Sequence, residues 1–594
     1  MLLPRNHLHR FILCCLFYVS VTSSLAQYYV RGQVKDVKGN LLPDVQITLV
    51  SKHQFQYKSG SDGSFGIPSN KLVDTLIFEL NGFETKKLPI NTKQYVDAIL
   101  LMLPETISSL KTKLNSQTKN LENSVNSNTY GFGESYTATI ENEEINTAQS
   151  SQTNYTLNID RASYSNIRRF LNNGYKPPIE AVRIEELLNY FDFSNTSKKQ
   201  NSFIINSQIT SCPWSKSKDL LFIQTQAPTL NTSKIMPTNF VFLIDVSGSM
   251  DKPNRLPLVQ AAFKLLIKNL RANDSVAIVT YGGGVDVMLP SINCSISNVN
   301  KINNIIDSLY AVGDTPGEGA IKMAYSVAKK SFIKNGNNRV ILATDGDFNV
   351  GQTSEKELEE MIGLQKSHGI YLTCLGVGMG NYKDSKLEAL AKKGNGNFAY
   401  LDNIKEAEKV LVQEFTKTMF TVAKDAYVSI NFNKNCIDNY RLIGYDNKKD
   451  ALADSHNILE GGEVGSGHSN ITVFEISKLN KPNFDSLVGE VKLFYKGDDN
   501  REVIQNYSIN KNNITSIDSA NQKYKLAACI AWFGSLLKSS KHTKNSSFEE
   551  LLLLLTNAIN KDNFAEVEFL EIVKKAANIY EPLTNKKKKK KRGI

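Results

Sequence analysis

The sequence predicts a multidomain chain built around a central α/β doubly wound, mostly parallel sheet, flanked by β-sandwich domains and C-terminal helices. Residues 240–244 are large and apolar without alternation, which is typical of a central strand covered on both faces. Strand and helix patterns then alternate up to residue 420, which indicates parallel strands joined by helices. Residues 28–104 and 425–510 alternate apolar and polar positions, as strands with one buried face do. A length of 594 residues allows three or four such domains.

The first 26 residues have the pattern of a secretory signal peptide. Arg5 and Arg10 precede an apolar run over 11–21, and small residues follow before a cleavage point ahead of Gln27. The run is too short to span a bilayer, and no later stretch reaches about 18 apolar residues. We therefore expect a mature protein that is exported to the periplasm or cell envelope.

The charge of the chain does not indicate nucleic-acid binding. The formal net charge is +11, but two basic residues lie in the leader and seven form the run 586–592. The body is therefore nearly neutral, without a basic face and interleaved aromatic residues. The basic tail over 584–594 is expected to be a solvated end that makes at most weak contact with an anionic surface. An odd, scattered set of cysteines follows the leader and argues against a disulfide framework: Cys212, Cys294, Cys374, Cys436 and Cys529.

The front of the mature chain predicts a small domain and a linker. Short alternating runs at 29–34, 45–50 and 75–80 are separated by turn residues, so residues 27–104 are predicted to form a small β-sandwich. Residues 105–152 are rich in Asn, Ser and Thr and have little periodicity. We predict a flexible linker there.

An N-terminal extension over 153–235 precedes the central domain over 236–424. In the extension we expect a strand at 155–159, helices at 163–173 and 179–191, and strands at 202–211 and 219–226. In the central domain, the short strand at 285–289 follows a tight glycine-rich turn and is predicted to be an antiparallel edge. The last helix of that domain is predicted at 405–420.

A β-plus-helix domain is predicted over 425–583. Its strands are expected at 426–432, 471–476 and 487–495, followed by helices with apolar stripes at 523–537, 548–559 and 565–580. We predict that the strands over 202–226 share one sandwich with these later strands. The central domain would then be held between them as an insert.

Oxygen-bearing side chains follow the central strand. Asp245, Ser247 and Ser249 lie at alternate positions directly after it, and one carboxylate with two hydroxyls suits a six-coordinate Mg²⁺ or Mn²⁺. Taken alone, Asp245 could equally cap the next helix, with Ser-Gly-Ser as a polar turn. Thr315, just before a helix, and Asp345, at the end of the strand over 339–344, are expected at the same sheet edge, where ligands bind in such folds. Capping explains each loop separately but not the convergence of three loops.

These residues resemble a known family. Asp245-x-Ser-x-Ser249, Thr315 and Asp345-Gly346 match the metal-ion-dependent adhesion motif of the von Willebrand factor type A domain. The resemblance implies that the serines and Thr315 contact the ion, that both aspartates brace it, and that an acidic side chain of a protein partner completes the coordination. Segments 155–171, 181–186, 343–351 and 440–445 are similar to exported bacterial YfbK-type proteins. The pattern at 32–36, 42–45, 61–65 and 82–83 resembles the carboxypeptidase regulatory-like domain, which implies a spacer or docking module.

The leading functional hypothesis is a non-enzymatic binding protein that uses the ion to capture a carboxylate of a protein partner. A hydrolase is the less favoured alternative, because no histidine lies in the loops of Ser247 and Ser249 and no GxSxG, HExxH or P-loop pattern occurs. A third alternative is a structural assembly factor of the envelope in which the ion only joins loops.

Overall fold

The computed structural model describes most of the chain after residue 27. The described residues are 28–37, 39, 41–60, 62–80, 83–101, 134, 136, 140–157, 159–194, 201–230, 236–313, 317–346, 355–379, 384–445, 462–479, 487–497, 501–510 and 514–581. The chain divides into two compact units, Met1–Lys113 and Leu114–Ile594. The predicted signal peptide (1–26) and basic tail (584–594) lie outside the described residues.

The first unit is a β-sandwich. Its strands are β1 (Tyr28–Asp36), β2 (Gln46–Leu49), β3 (Gln56–Lys58), β4 (Ser64–Ser69), β5 (Val73–Glu79), β6 (Lys86–Asn91) and β7 (Val96–Leu100). They form one sheet in the order β4-β1-β7 and another in the order β3-β2-β5-β6. Alternate residues of both sheets, such as Val34, Ile47 and Phe78, share one apolar core. The predicted sandwich is confirmed, and the resemblance to a carboxypeptidase regulatory-like domain stays a prediction.

The second unit contains the remaining strands and the helices. The strands are β8 (Ile145–Asn146), β9 (Gln152–Thr156), β10 (Ile204–Ser211), β11 (Asp219–Gln226), β12 (Thr238–Asp245), β13 (Ser275–Gly282), β14 (Gly284–Asn293), β15 (Asn337–Thr344), β16 (Ile370–Val377), β17 (Phe398–Leu401), β18 (Thr421–Phe432), β19 (Ile437–Ile443), β20 (Gly462–Gly465), β21 (Ser469–Lys478), β22 (Gly489–Lys496), β23 (Glu502–Ile509) and β24 (Ile514–Thr515). The helices are α1 (Ala162–Asn172), α2 (Ile184–Asn189), α3 (Leu256–Asn269), α4 (Ile296–Asp307), α5 (Gly317–Lys330), α6 (Glu355–Ser367), α7 (Asp384–Lys393), α8 (Ile404–Glu408), α9 (Phe415–Met419), α10 (Gln522–Leu537), α11 (Phe548–Ala558) and α12 (Phe564–Tyr580).

The central sheet has the predicted doubly wound arrangement. Its strand order is β14-β13-β12-β15-β16-β17, and every neighbouring pair is parallel except β13 with β14. The antiparallel edge strand is therefore confirmed. Phe240 and Phe242 of β12 pack with α3 and α4 on one face, while Val241 and Leu243 pack with α5 and α6 on the other. All eight residues of β12 are buried, which explains why its sequence does not alternate.

Strands from before and after the central domain share a second sandwich. One sheet has the order β24-β10-β11-β21-β19-β8, and the other has the order β20-β18-β22-β23, with β9 paired to β18. β11 pairs antiparallel with β21 over eight positions, for example Leu221 with Phe474. The predicted pairing of 202–226 with later strands is confirmed. The extension and the C-terminal region therefore contribute strands to the same sheets.

A helical layer covers the outer face of this sandwich. Helices α1 and α2 of the extension pack with α10, α11 and α12 around one apolar core that also contains Phe222 and Val473. Within the part of the chain that the structure describes, no helix is long and apolar enough to cross a membrane.

Three predicted boundaries differ from the structure. The linker prediction over 105–152 is wrong for its last part, because β8 pairs with β19 and Asn142 Nδ2 donates to the carbonyls of Leu442, Gly444 and Tyr445. The helix predicted at 179–191 is a 3-10 turn (Ile179–Ala181) followed by the short α2. Val182 and Arg183 are extended between them, and this places Arg183 in a buried ion cluster. The helix predicted at 405–420 is interrupted by a π turn over Lys409–Gln413.

Candidate metal centre

Two carboxylates end neighbouring strands at the same edge of the central sheet. Asp245 is the last residue of β12, and Asp345 directly follows β15. The parallel register pairs Ile244 with Ala343, so the strands end side by side. Both side chains are almost completely buried, with 0% and 1% of the residue exposed. The predicted convergence of these two residues is therefore present in the structure.

Asp245 accepts hydrogen bonds from three residues. Its Oδ1 accepts from the backbone N–H of Ser247 at 2.9 Å, and its Oδ2 accepts from Tyr281 Oη at 3.1 Å and Thr344 Oγ1 at 2.7 Å. Burial raises the pKa of the Asp245 carboxyl, the bonds from Ser247 and Thr344 oppose this, and the charge of Asp345 adds to it. A nearby divalent cation would favour the ionised form.

The two serines present neighbouring hydroxyls in the turn after β12. A 3-10 turn over Gly248–Met250 brings Ser247 Oγ and Ser249 Oγ to 3.1 Å from each other. Ligands at neighbouring corners of an octahedral Mg²⁺ site, with bonds of about 2.0–2.1 Å, are about 3 Å apart. The spacing and the hard-oxygen donors therefore fit the predicted ion. These serines and the two carboxylates are the residues that would hold it.

Arg255 ties one carboxylate to two loops. Its Nη1 donates to Asp345 Oδ2 at 2.6 Å and to the Ser249 carbonyl at 2.5 Å, and its Nη2 donates to the Met379 carbonyl at 2.7 Å. The side chain of Arg255 is 5% exposed and that of Asp345 is 2% exposed, so the ion pair is buried. A Cβ at Gly378 would lie 2.5 Å from Arg255 Nε, and the φ of Gly378 is +80°. Only glycine fits against this guanidinium without strain.

The third loop lies against the first. Gly248 N–H donates to the Gly313 carbonyl at 3.0 Å, and Val312 N–H donates to the Val246 carbonyl at 2.6 Å. Gly313 has a φ of +75°, and a Cβ there would lie 2.3 Å from Gly283. Thr315, two residues further on, lies outside the described residues. Its place as a ligand stays a prediction.

Sequence reasoning missed three residues that build this centre. Tyr281 and Thr344 bind Asp245, and Arg255 binds Asp345. Thr344 precedes Asp345 directly, and Tyr281 is near the end of the strand next to β12, so strand-end position was an available signal for both. Arg255 lies before a helix with no local pattern that marks its contacts.

A second acidic group lies within the sandwich. Ligand atoms of Glu144, Glu475 and His542 lie within 4.8 Å of one another. Glu475 accepts bonds from Trp214 Nε1 at 2.7 Å and Arg441 Nε at 2.9 Å. Arg441 and Glu475 thus form a buried ion pair, whereas Glu144 and His542 are not fully buried.

A buried ion cluster joins the extension to the central domain. Arg183 Nη1 lies 2.7 Å from Asp384 Oδ2, at the start of α7, and Arg183 also pairs with Glu186. Burial raises the pKa of Asp384 to about 6; Arg183 opposes this shift and Glu388 adds to it. The extension is thus anchored on the segment that follows β16.

The fold and the site together define the class of protein. An Asp-x-Ser-x-Ser turn after the central strand of a doubly wound sheet is the arrangement of a von Willebrand factor type A domain. The family model described as "von Willebrand factor type A domain" matches residues 240–347. A model described as "von Willebrand factor" matches 131–222, and one described as "Uncharacterized protein YfbK, C-terminal" matches 417–579.

The whole-chain comparison gives the family. The chain is 35% identical to "Uncharacterized protein YfbK" of Escherichia coli (strain K12) over 460 residues, which covers 73% of this chain and 79% of that protein. The chain belongs to the YfbK family. It is also 27% identical to human "Inter-alpha-trypsin inhibitor heavy chain H4" over 217 residues, 35% of this chain and 23% of that protein. Among solved structures it is similar to "von Willebrand factor type A from Catenulispora acidiphila", with 14% identity, a TM-score of 0.39, and coverage of 61% of this chain and 88% of that chain.

Proposed function

We propose that the protein is a non-enzymatic binding protein of the cell envelope. In this proposal Asp245, Ser247, Ser249, Thr315 and Asp345 hold Mg²⁺ or Mn²⁺, and the ion captures an acidic side chain of a protein partner. The observation that carries the proposal is the pair of serine hydroxyls 3.1 Å apart beside two buried carboxylates. When bound, the ion would supply a positive charge with a coordination position for a carboxylate oxygen.

The loop contacts favour a binding role over a purely structural one. The first and third loops already bond each other through Gly248 and Gly313, and Arg255 already links Ser249, Asp345 and Met379. These loops have direct protein contacts, so an ion is not needed to join them. An ion that only holds loops together would therefore add little to folding.

The surroundings of the serines favour binding over hydrolysis. Ser247 Oγ and Ser249 Oγ contact each other, and no imidazole is among their hydrogen-bond partners in the described part of the chain. A serine nucleophile requires a general base within hydrogen-bond distance. Proteins of this fold class commonly act by protein–protein contact, which agrees with a recognition role.

The test combines metal binding with partner capture. Asp245→Ala and Ser249→Ala should each weaken Mg²⁺ or Mn²⁺ binding in calorimetry, because the site has few formal charges and few ligands. Both should also lower chelator-sensitive partner retention in pull-downs from envelope extract. Ser249→Ala is included because its hydroxyl is only partly buried and its loss spares the Tyr281 and Thr344 bonds to Asp245. Asp307→Ala, which removes an exposed carboxylate on α4, is the control.

Two results would contradict the proposal. Partner retention that is unaffected by chelator and by both variants would place recognition on the sandwich domains. A loss of folding stability on chelation, without loss of partner binding, would favour the structural alternative. Export is tested separately by cell fractionation and by sequencing the N-terminus, which is expected at Gln27.

A further inference from the structure

A cavity lies where the π turn after α8, the segment after α2 and the start of α12 meet. Its volume is about 450 Å³, within the range of about 300–1,000 Å³ that is typical of small-molecule sites. The lining combines aromatic and charged side chains, among them Tyr190, Phe191, Lys405, Lys409, Phe564 and Glu568. Lys409 begins the π turn, and such turns are frequent at functional sites. We refer to this space as the π-turn cavity.

The amine of Lys409 lies against Tyr190. Lys409 Nζ donates to the Tyr190 carbonyl at 2.6 Å and lies 3.2 Å from the centre of the Tyr190 ring. A neutral amine has two N–H bonds, and these two contacts are enough to use both. Its lone pair then remains available for a bond to a ligand. Lys409 is partly exposed, so a molecule in the π-turn cavity can reach it.

Most carboxylates of the cavity wall are already paired with other cations. The pairs are Glu406 with Arg168 at 2.7 Å, Asp192 with Lys417 at 2.6 Å, Glu568 with Arg168 at 2.7 Å, and Glu414 with Arg161. Glu408 also lines the cavity, but it is exposed to water. Among the residues that the structure describes, Lys409 forms no ion pair of its own. An ammonium group here would lose water without gaining a counter-ion, which favours the neutral amine.

Burial is the main reason that the pKa of Lys409 is lowered to about 7. The charge of Glu406 opposes this shift, while the positive charges of Arg161, Arg168 and Lys417 add to it. The other titratable groups of the cavity wall are Tyr190, Asp192, Lys405, Glu408, Glu414 and Glu568. About half of the Lys409 amines are therefore neutral at pH 7, whereas an ordinary lysine with a pKa of about 10.4 is about 0.04% neutral. A desolvated, neutral lysine is a nucleophile towards carbonyl carbon.

We propose that Lys409 holds a small apolar aldehyde in the π-turn cavity as a reversible imine. The lone pair of Nζ attacks the carbonyl carbon, an N–C bond forms, and the C–O bond breaks after proton transfer to the oxygen. Both N–H hydrogens leave with that oxygen as water, so the products are a C=N bond and one water molecule. No oxidant, reductant or further reactant takes part. This is covalent binding without turnover.

The lining favours an apolar group on the aldehyde. Phe191 and Phe564 offer aromatic surface to its hydrocarbon part. Phe564 is 63% exposed, so contact with a ligand would remove apolar surface from water. A charged aldehyde would gain less, because most ionic groups of the wall are already paired. None of these residues belongs to the candidate metal centre, so the inference goes beyond the proposed function and does not depend on it.

The experiment is reductive trapping of the full chain with benzaldehyde and cyanoborohydride, followed by peptide mass spectrometry. It is done in chelator, so the result does not depend on the metal centre. Lys405 is the internal control, because it lines the same cavity but is exposed. At pH 7 we expect Lys409 to be labelled at least about tenfold faster than Lys405, since about half of its amines are neutral there. Labelling of Lys409 should saturate with benzaldehyde, whereas labelling of Lys405 should rise linearly.

The pH dependence is measured as the ratio of the two labelling rates, so that effects of pH on the reductant cancel. This ratio should fall between about pH 7 and about pH 10, because Lys409 is already mostly neutral at pH 8 while exposed lysines continue to lose protons. Lys409→Met should remove the Lys409 adduct and leave Lys405 labelling unchanged. The main comparison is made within the wild-type chain, so a folding defect of this variant would not affect it.

Three outcomes would overturn the proposal. Labelling of Lys409 at pH 7 that is equal to or slower than labelling of Lys405 would show that its amine is not available to a carbonyl compound. A ratio that stays constant up to pH 10 would show that the amine is not unusually neutral. Labelling of Lys409 that is fast but does not saturate would show a reactive amine without a binding cavity.

Discussion

Replacing Arg255 with Met should destabilise the metal-free central domain strongly and the Mg²⁺-loaded domain much less. The substitution keeps a long apolar side chain but removes the guanidinium that contacts Asp345 at 2.6 Å. Asp345 would then lack its guanidinium partner in a buried position, beside the carboxylate of Asp245. Bound Mg²⁺ would supply the positive charge that the variant lacks.

The magnitude follows from the burial of the pair. Charge centres about 4 Å apart attract by about 4 kcal/mol at an effective dielectric constant of about 20. Loss of one member of a buried pair typically costs about 3–5 kcal/mol. We therefore expect the opening free energy of β12 and β15 to fall by about 3–5 kcal/mol in chelator. By linkage, each 1.4 kcal/mol that Mg²⁺ restores should appear as about tenfold tighter Mg²⁺ binding.

The assay is native-state hydrogen exchange with mass spectrometry on peptides that cover β12 and β15, combined with calorimetric titration of Mg²⁺. Exchange reports opening of one region, so it suits a multidomain chain. The matched control is Lys264→Met, because the Lys264–Asp307 pair is also 2.6 Å long but exposed. It should cost less than about 1 kcal/mol. Equal destabilisation of Arg255→Met with and without Mg²⁺, or weaker Mg²⁺ binding, would refute the electrostatic reasoning.

Three further predictions concern other parts of the molecule. The pKa of Asp384 is raised to about 6 in the folded protein, above its usual value of 3.8, so the free energy of unfolding should fall as pH rises from about 4 to 6. Asp384→Asn should make the melting temperature depend less on pH over this range. A variant clearly less stable than the wild type at pH 7.5 would contradict this prediction. Residues 425–594 expressed alone should give no folded circular dichroism spectrum, because β21 lacks its partner β11 and β19 lacks its partner β8; a cooperative unfolding transition of this fragment would count against the inserted arrangement. Gly313→Ala should cost about 2 kcal/mol and weaken Mg²⁺ binding, because φ is +75° and the added Cβ would meet Gly283; unchanged stability and affinity would show that the loop relaxes freely.

Much of the fold was predictable because its signals are local. The buried strand before Asp245 was recognised from an apolar run without alternation, and the structure buries all eight residues of β12. The serine spacing was recognised from three successive alternate positions, which a single turn brings together. Asp345 was recognised because parallel strands end at the same edge of a sheet.

Other features depended on contacts between distant parts of the chain. Arg255 reaches Asp345 across 90 residues, and Asn142 donates to the carbonyls of Leu442 and Gly444, about 300 residues later. The linker prediction used composition and the lack of periodicity, and neither reports whether a distant strand edge will pair with a polar segment. The break in the helix predicted at 405–420 is also invisible in apolar periodicity, because an inserted π turn alters the backbone without changing residue type.

The sequence by itself therefore determined the class of sheet, the order of its elements and the local part of the candidate metal centre. Periodicity and turn chemistry depend on residues close together in the chain, so they can be recognised from the sequence. The tertiary structure alone decided that Arg255 pairs with Asp345 and that the hydroxyls of Tyr281 and Thr344 bind Asp245. It also decided that β8 pairs with β19. These depend on the register of paired strands and on the direction of buried side chains, and both are set only when distant segments pack together.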